Sequence, residues 1–282
     1  MTSQVMDRRR PRDYRCRMLN IDRPSSSIGP MLREWRQRRR LSQLDLACDA
    51  DISTRHLSCV ETGRATPSRE MVLHLAERLD VPLRERNVLL AAAGYAPVYA
   101  ERPLDDPAMH CARQAVQTLL RAHEPYPALA VDRHWQLLSA NRSVQALMAG
   151  VDATLLEPPI NVLRLSLHPR GLAPRILNLA QWRAHLLARL GQQVHASADP
   201  VLAALLRELS GYPAGAAQHP MDGATQSVVV PLQLESPLGQ LSLVSTTTVF
   251  GTPVDITLSE LALETFFPAD ESTAQALRRL VH

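Results

Sequence analysis

The chain has 282 residues, four cysteines, and 31 basic side chains against 28 acidic ones, a formal net charge of +3. No apolar run approaches the ~18–20 residues that cross a bilayer, and the N-terminal stretch is arginine-rich rather than apolar, so neither a membrane span nor a secretory leader is expected. Cys16, Cys48, Cys59 and Cys111 are scattered without ligand spacing, which points to reduced thiols in a cytoplasmic protein rather than to a disulfide framework or a metal site.

Charge divides the chain. Residues 1–99 hold 18 arginines and 12 acidic residues, whereas residues 100–282 hold 13 and 16. A basic first third joined to a mildly acidic remainder fits a nucleic-acid module attached to a part that avoids phosphates. Residues 1–27, containing DRRRPRDYRCR, read as a basic, disordered tail. The other reading is an arm that follows the DNA backbone or the minor groove. Met18 is an alternative start.

From Ile28 the apolar stripe Met31, Leu32, Trp35 and Leu41 predicts a helix, with Arg33, Arg38, Arg39 and Arg40 outside it. Ser42 to Gly63 then reads as two short helices joined by a tight turn. Ser42 caps the first, which carries Gln43 and Asp45 in its opening turn and sets Leu44, Ala47 and Cys48 on one face. After the turn at Ala50 and Asp51, Ser53 caps the second. Leu57, Val60 and the stem of Arg64 are expected inside, and Thr54, Arg55, Ser58 and Cys59 outside. Gly63 closes the helix in a left-handed conformation. Small polar residues and one arginine suit a helix edge that meets bases in a major groove. Pro67-Ser68 starts a fourth helix burying Met71, Val72, Leu75, Ala76 and Leu79. Pro82 starts a fifth, from Arg84 to Ala93, stopped by Gly94. Five helices give a small independent core.

The segments MLREWRQRRRLSQLDLA, ISTRHLSCVETGRATPS and MVLHLAERLDVPLRERNVLLAAAGYAP resemble the Cro/CI-type (XRE) helix-turn-helix of bacterial and phage regulators over residues 28–99. The resemblance implies that Gln43 touches a phosphate. It implies that Ser53, Thr54, Arg55 and Cys59 line base edges, with Ser58 on the same outer face, and that Thr62 and Arg64 return to the backbone. It also implies an internal pair between Arg36 and Glu61 that braces the first helix against the recognition helix. Double-stranded DNA is the expected partner, bound by a homodimer.

Residues 100–107, with the run ERPLDDP, form a short charged linker. Residues 108–282 read as mixed α and β. A helix from Met109 to Ala122 comes first. The apolar segments Pro127 to Val131 and Trp135 to Ser139 then flank the turn Asp132-Arg133-His134 as a hairpin. Helices are predicted from Asn141 to Met148, Asn161 to Leu167, Gln181 to Leu190 and Pro200 to Leu209. Strands follow from Gln226 to Leu234, Gln240 to Phe250 and Leu261 to Phe267, the first two joined through Ser236-Pro237-Leu238-Gly239. A last helix runs from Thr273 to Leu280. Two strands, several helices, then three strands is the order of a PAS-like antiparallel sheet with helices over one face.

Through PALAVDRHWQLLSAN, NVLRLSLHP, DPVLAALLRELSGYP, PLGQLSLVSTTTVFGTP and ETFFPAD, this half resembles the ligand-binding domain of the MmyB-like transcription regulators. The resemblance implies a pocket for a small apolar molecule, with long-chain fatty acids the class known for the family. The family's middle is more aromatic and arginine-rich than this chain, which has three Phe and three Trp. Trp182, Arg183 and His185 are the pocket candidates, Arg183 and His185 as partners of a carboxylate. The plainer reading is core for Trp182 and surface for the other two. The alternative function for this half is dimerisation or docking of a protein partner, without ligand. No GxSxG elbow, phosphate-cradling glycine loop, HExxH or paired-carboxylate spacing occurs, so no enzyme, metal or resident cofactor is expected. The molecule expected is a sequence-specific transcription regulator: a mainly α five-helix helix-turn-helix domain, then an α+β PAS-like domain.

Overall fold

Among the described residues, the first helix starts at Ile28, where the aliphatic pattern does. The computed structural model describes residues 27–214, 229–251 and 253–280. The basic tail, with Cys16 and Met18, and residues 226–228 of a predicted strand lie outside the described residues. Five helices open the fold: α1 Ile28–Arg38, α2 Gln43–Asp49, α3 Thr54–Glu61, α4 Arg69–Arg78 and α5 Leu83–Ala92. Serine hydroxyls start three of them. Ser42 accepts from the Asp45 N–H, Ser53 from His56 and Ser68 from Met71, at 3.1–3.2 Å. Asp45 returns the favour to the Ser42 N–H at 2.8 Å, completing a capping box. Each such cap is worth about 1 kcal/mol. Gly63 and Gly94 follow α3 and α5 at φ +73° and +85°, the left-handed stop predicted for them.

The helical region has one core, built on Leu32, Trp35, Leu46, Leu57, Val60 and Leu75. Helix α1 lies so close to α3 that a Cβ on Gly29 would sit 2.6 Å from the carbonyl oxygens of Val60 and Glu61. Two expectations about facing are corrected. Leu44 is 60% exposed and Cys48 is also exposed, while Leu46, Ala47 and Ala50 are buried. Leu44 and Leu46 stand roughly 200° apart at 3.6 residues per turn, so only one of them can face inward. Arg64 lies beyond the helix and is exposed rather than tucked in.

The second region begins with α6 His110–Ala122 and a hairpin of β1 Ala128–Val131 and β2 Leu137–Ala140. Four helices follow: α7 Arg142–Leu147, α8 Val162–Leu167, α9 Leu179–Ser197 and α10 Pro200–Ser210. Then come β3 Leu232–Ser236, β4 Gly239–Val249, the single-turn α11 Ile256–Ser259, β5 Ala262–Pro268 and α12 Glu271–Leu280. The strands form one antiparallel sheet in the order β2-β1-β5-β4-β3. Gly239, at φ +103°, closes the tight β3–β4 turn in which Ser236 pairs with it. Helix α9 outruns the predicted Leu190 by seven residues, and β3 starts later than predicted.

The main core lies between one sheet face and the helices over it, as the element order implies. Alternation along β1 shows how. Leu129 and Val131 point into that core, while Ala128 and Ala130 face the other way against Val116 and Leu120 of α6. Small alanines there let α6 cover the reverse face.

Between the two regions the chain is held, not loose. Asn87 of α5 accepts from the backbone N–H groups of Val98 and Tyr99 at 2.9 and 3.1 Å and donates to the Tyr99 carbonyl at 2.8 Å. Ala100 then forms a parallel bridge with Asp255, its carbonyl accepting from the Ile256 N–H at 2.8 Å. Arg84 of α5 donates to Glu260 beside α11 at 2.8 and 2.9 Å, and to Glu101 at 2.7 Å.

Candidate functional site

Helix α3 presents the residues that the sequence singles out for DNA. Ser53 and Arg55 are exposed, and Thr54, Ser58 and Cys59 are half-buried along the same helix. The Arg55 guanidinium has no hydrogen bond or ion pair among the described residues, so its donors are open. Thr62 is exposed but donates its hydroxyl to the Ser58 carbonyl at 2.7 Å, which leaves it an acceptor. The Arg64 N–H donates to the Cys59 carbonyl at 2.8 Å and fixes the turn after the helix.

Behind this face Arg36 grips Glu61 with a two-pronged contact, Nε to Oε1 at 2.7 Å and Nη2 to Oε2 at 2.9 Å. The remaining prong donates to the Leu41 carbonyl at 2.8 Å. Gln43 adds its amide N–H to Glu61 at 2.7 Å, a tie that spacing alone did not reveal. Burial would raise the Glu61 pKa, but the bonds from Arg36 and Gln43 and the Arg36 charge outweigh it and hold it below the usual carboxylate range. The network therefore joins α1, the start of α2 and the end of α3 at one buried carboxylate.

In the sheet region a cavity of about 100 Å³ opens between the sheet and α7–α9. Its walls are mainly leucine, valine, methionine and tryptophan, and among the described residues the charged ones lining it are Arg189 and Glu264. Arg189 donates to Glu264 at 2.6 and 3.1 Å and to the Thr247 hydroxyl at 2.6 Å. Thr247 in turn donates to Glu264 at 2.9 Å.

Of the predicted pocket residues, Trp182 lines the cavity, its indole N–H donating to Ser166 at 3.0 Å. Arg183 and His185 do not. Arg183 instead caps the end of α10, donating to the Ser210 carbonyl at 2.7 Å. His185 stacks on the outer side of Trp182, ring centroids 5.6 Å apart, and burial together with the Arg189 charge pushes its pKa below the ordinary value. The reason is helical geometry. Arg183, the next residue, points about 100° away from Trp182, whereas His185, three residues on, shares its side but lies against the Trp182 ring; Leu186 and Arg189 on that side reach the cavity. That spacing was the signal by which Arg189 could have been found.

Trp135 is the other residue that motif reading passed over. It sits in the β1–β2 turn at φ +65°, a left-handed conformation that costs a bulky residue about 1–3 kcal/mol. The turn is over-determined: the Asp132 carboxylate accepts from the N–H groups of both His134 and Gln136 at 2.8 Å. The indole donates to Gln193 at 2.8 Å, and the Arg189 guanidinium lies 4.6 Å from the ring centroid. Trp135 and Arg189 thereby form a wall with two sides. One faces the apolar cavity. The other faces a cleft of about 350 Å³, whose far side is Arg39 and Asp80 of the helical region.

Charged groups run along that cleft. Arg133 lies 3.5 Å from Glu260 and 3.6 Å from Asp199, and His134 is 2.8 Å from Asp199. Glu260 is the same carboxylate that Arg84 holds. Its bond, with help from Glu101 and against burial, raises the Arg84 pKa above even the ordinary arginine value.

Among the described residues no cluster of three or more metal-ligating side chains occurs, and no helix is long and apolar enough to cross a membrane. The family model for the MmyB-like transcription regulator ligand binding domain matches residues 112–280, and that for a helix-turn-helix domain matches residues 28–89. No curated protein matches the chain.

Proposed function

The chain belongs to the MmyB-like transcription regulators, a family defined by its ligand-binding domain, and from that premise we propose how its two regions work together. A homodimer sets two α3 helices into successive major-groove faces about 34 Å apart on a near-palindromic site. Arg55 reads a base, with guanine the natural match for a free guanidinium, and Ser53, Thr54, Ser58 and Cys59 line the neighbouring edges. Gln43 and Arg64 hold the sugar–phosphate backbone, and Thr62, whose hydroxyl and N–H both bond the Ser58 carbonyl, fixes the turn from which Arg64 reaches it.

The cavity takes a small, mainly apolar ligand of lipid-like kind, of which the fatty acids implied by the resemblance are one class. The observation that carries this reading is the shared wall. A molecule pressing on Trp135 and Arg189 from the cavity alters the cleft behind them, and there Arg133, Glu260 and Arg84 lead to α5. Binding matters only insofar as the ligand favours one arrangement of the two α3 helices.

The test is native mass spectrometry of the full-length protein, followed by denaturing extraction and by DNA affinity on a selected site before and after extraction. A dimer that carries a lipid-like molecule, and whose DNA affinity changes by about 5–150-fold without it, supports the reading. A dimer with no retained molecule, and no affinity change on adding lipid extracts, favours the reading in which the sheet region only dimerises or docks a protein.

A further inference from the structure

The cleft behind the Trp135–Arg189 wall is larger than the cavity in front of it. Its volume of about 350 Å³ falls within the ~300–1,000 Å³ common for ligand pockets, which gather at the boundaries between domains. Val131, Leu202, Val249 and Leu261 give it apolar walls. Among the described residues, three arginines and three carboxylates line it as well: Arg39, Arg133 and Arg189, with Asp80, Asp132 and Glu260.

The two signs are not equally available. Glu260 accepts from Arg84 on both oxygens, at 2.8 and 2.9 Å. Asp132 commits Oδ1 to the backbone N–H groups of His134 and Gln136, and Asp80 is exposed, so water screens its charge. Arg189 is taken by Glu264 and Thr247. Arg133 is not taken. Asp199 and Glu260 stand 3.6 and 3.5 Å from it, and its guanidinium makes no hydrogen bond among the described residues. Across the cleft, Arg39 donates through Nε and Nη2 to the Leu79 and Asp80 carbonyls at 2.8 Å and leaves Nη1 without a partner. Gln193 has its amide oxygen engaged by the Trp135 indole, and its amide N–H groups are unpartnered among the described residues. Apart from the exposed Asp80 and one oxygen of Asp132, the unspent charged and amide groups of the cleft are therefore donors. They come from three places in the chain: the end of α1, the β1–β2 turn and α9.

We infer that the cleft is a second ligand site, distinct from the sheet cavity, that takes a small organic oxyanion. The ligand is a carboxylate or a phosphate monoester on a compact apolar body, held between Arg39 of the helical region and Arg133 and Gln193 of the sheet region. Guanidinium forks match either oxyanion, and the apolar walls receive the body. A cation finds no such welcome, because Glu260 is already saturated by Arg84. With its contacts on both regions, the bound anion favours the arrangement in which Arg39 and Arg133 stand across from each other.

Calorimetric titration of the full-length protein with benzoate, phenyl phosphate and benzamide at neutral pH and low salt tests this. At least one of the two anions is expected to bind about tenfold or more tightly than benzamide, and the tighter anion names the head group. Ala196→Trp fills the cleft from an exposed position on α9 and is expected to abolish that binding. Arg133→Gln removes a guanidinium that makes no hydrogen bond, so the fold should stand. The anion is expected to lose about tenfold in affinity while benzamide is unchanged. Binding by none of the three, or benzamide binding as tightly as both anions, overturns the inference. So does anion binding that Ala196→Trp leaves intact, or an anion-to-benzamide ratio that Arg133→Gln does not move. None of these results touches the lipid-like ligand, whose cavity lies on the other side of Trp135.

Discussion

Among the described residues, each region of this molecule contains an arginine–glutamate pair whose carboxylate is buried, and the two pairs have different surroundings. Arg36–Glu61 is enclosed: Gln43, the Leu41 carbonyl and three helices occupy every side of it. Arg189–Glu264 is enclosed on one side by Thr247 and Trp135 and borders open volume on the other two. The same ion pair is a rivet where packing is complete. Where packing stops, it is the edge of a chamber. The consequence of an ion pair is decided by what lies beyond it.

That contrast can be broken at its stronger end first. Glu61→Ala leaves Arg36 charged and without a partner in a closed core, and is expected to destabilise the helical region by about 3–5 kcal/mol. Glu264→Ala, with cavity and cleft to admit water to Arg189, should cost only about 1–3 kcal/mol. Urea unfolding followed by circular dichroism compares the two, and equal costs would erase the distinction. Next in size is Arg55→Ala, expected to remove about 1–3 kcal/mol of discrimination at one base pair per half-site. Gln43→Ala, by contrast, lowers affinity alike on all sequences. Binding-site selection from random duplexes separates the two outcomes, and uniform weakening by Arg55→Ala would make it a backbone contact.

A smaller effect is expected from Arg84→Ala. Its carboxylate partners are part-exposed, so stability should change by no more than about 1 kcal/mol. The ligand dependence of DNA affinity should nevertheless diminish, because the cleft is no longer tied to α5. An undiminished response would place the coupling elsewhere. The smallest effect concerns acid. The hydrogen bond from Arg164, above all, and that from Tyr212 hold the Glu208 carboxyl at about 2, down from 4.5, against the opposing pull of burial. A depressed carboxylate pKa contributes stability above the unfolded value, and that contribution is lost as pH falls from about 4.5 toward 2. Glu208→Gln should therefore flatten the acid limb of thermal stability in that window, modestly, since both partners of the pair are more than a third exposed.

Local chemistry made much of this legible beforehand. Serine caps, left-handed glycines and proline starts act over three or four residues, so the α2, α3 and α4 starts and the stops at Gly63 and Gly94 followed from adjacent letters. The antiparallel sheet with helices packed on it followed from element order. What failed depended on the third dimension. Leu44 and Leu46 compete for one inward direction, and only the position of α3 decides between them. Arg183 looked right beside Trp182 in the sequence, yet a helix puts adjacent residues on different faces, and His185, on the same side, is taken up by the Trp182 ring instead of the cavity. Arg189 and Trp135 gain their place from a wall made by α9 and a strained turn 54 residues earlier in the chain. No short motif contains both.

The Asn87 clasp has a consequence for anyone wishing to transplant the helix-turn-helix onto another sensor. One side chain of α5 holds the backbone of Val98 and Tyr99 as a neighbouring strand would, so the transferable unit extends beyond the last helix. A chimaera joined directly after Gly94 would leave Asn87 gripping nothing. One joined after Ala100 would keep the clasp and expose a single carbonyl, the one that the Ile256 N–H now uses, as the socket for whatever is attached.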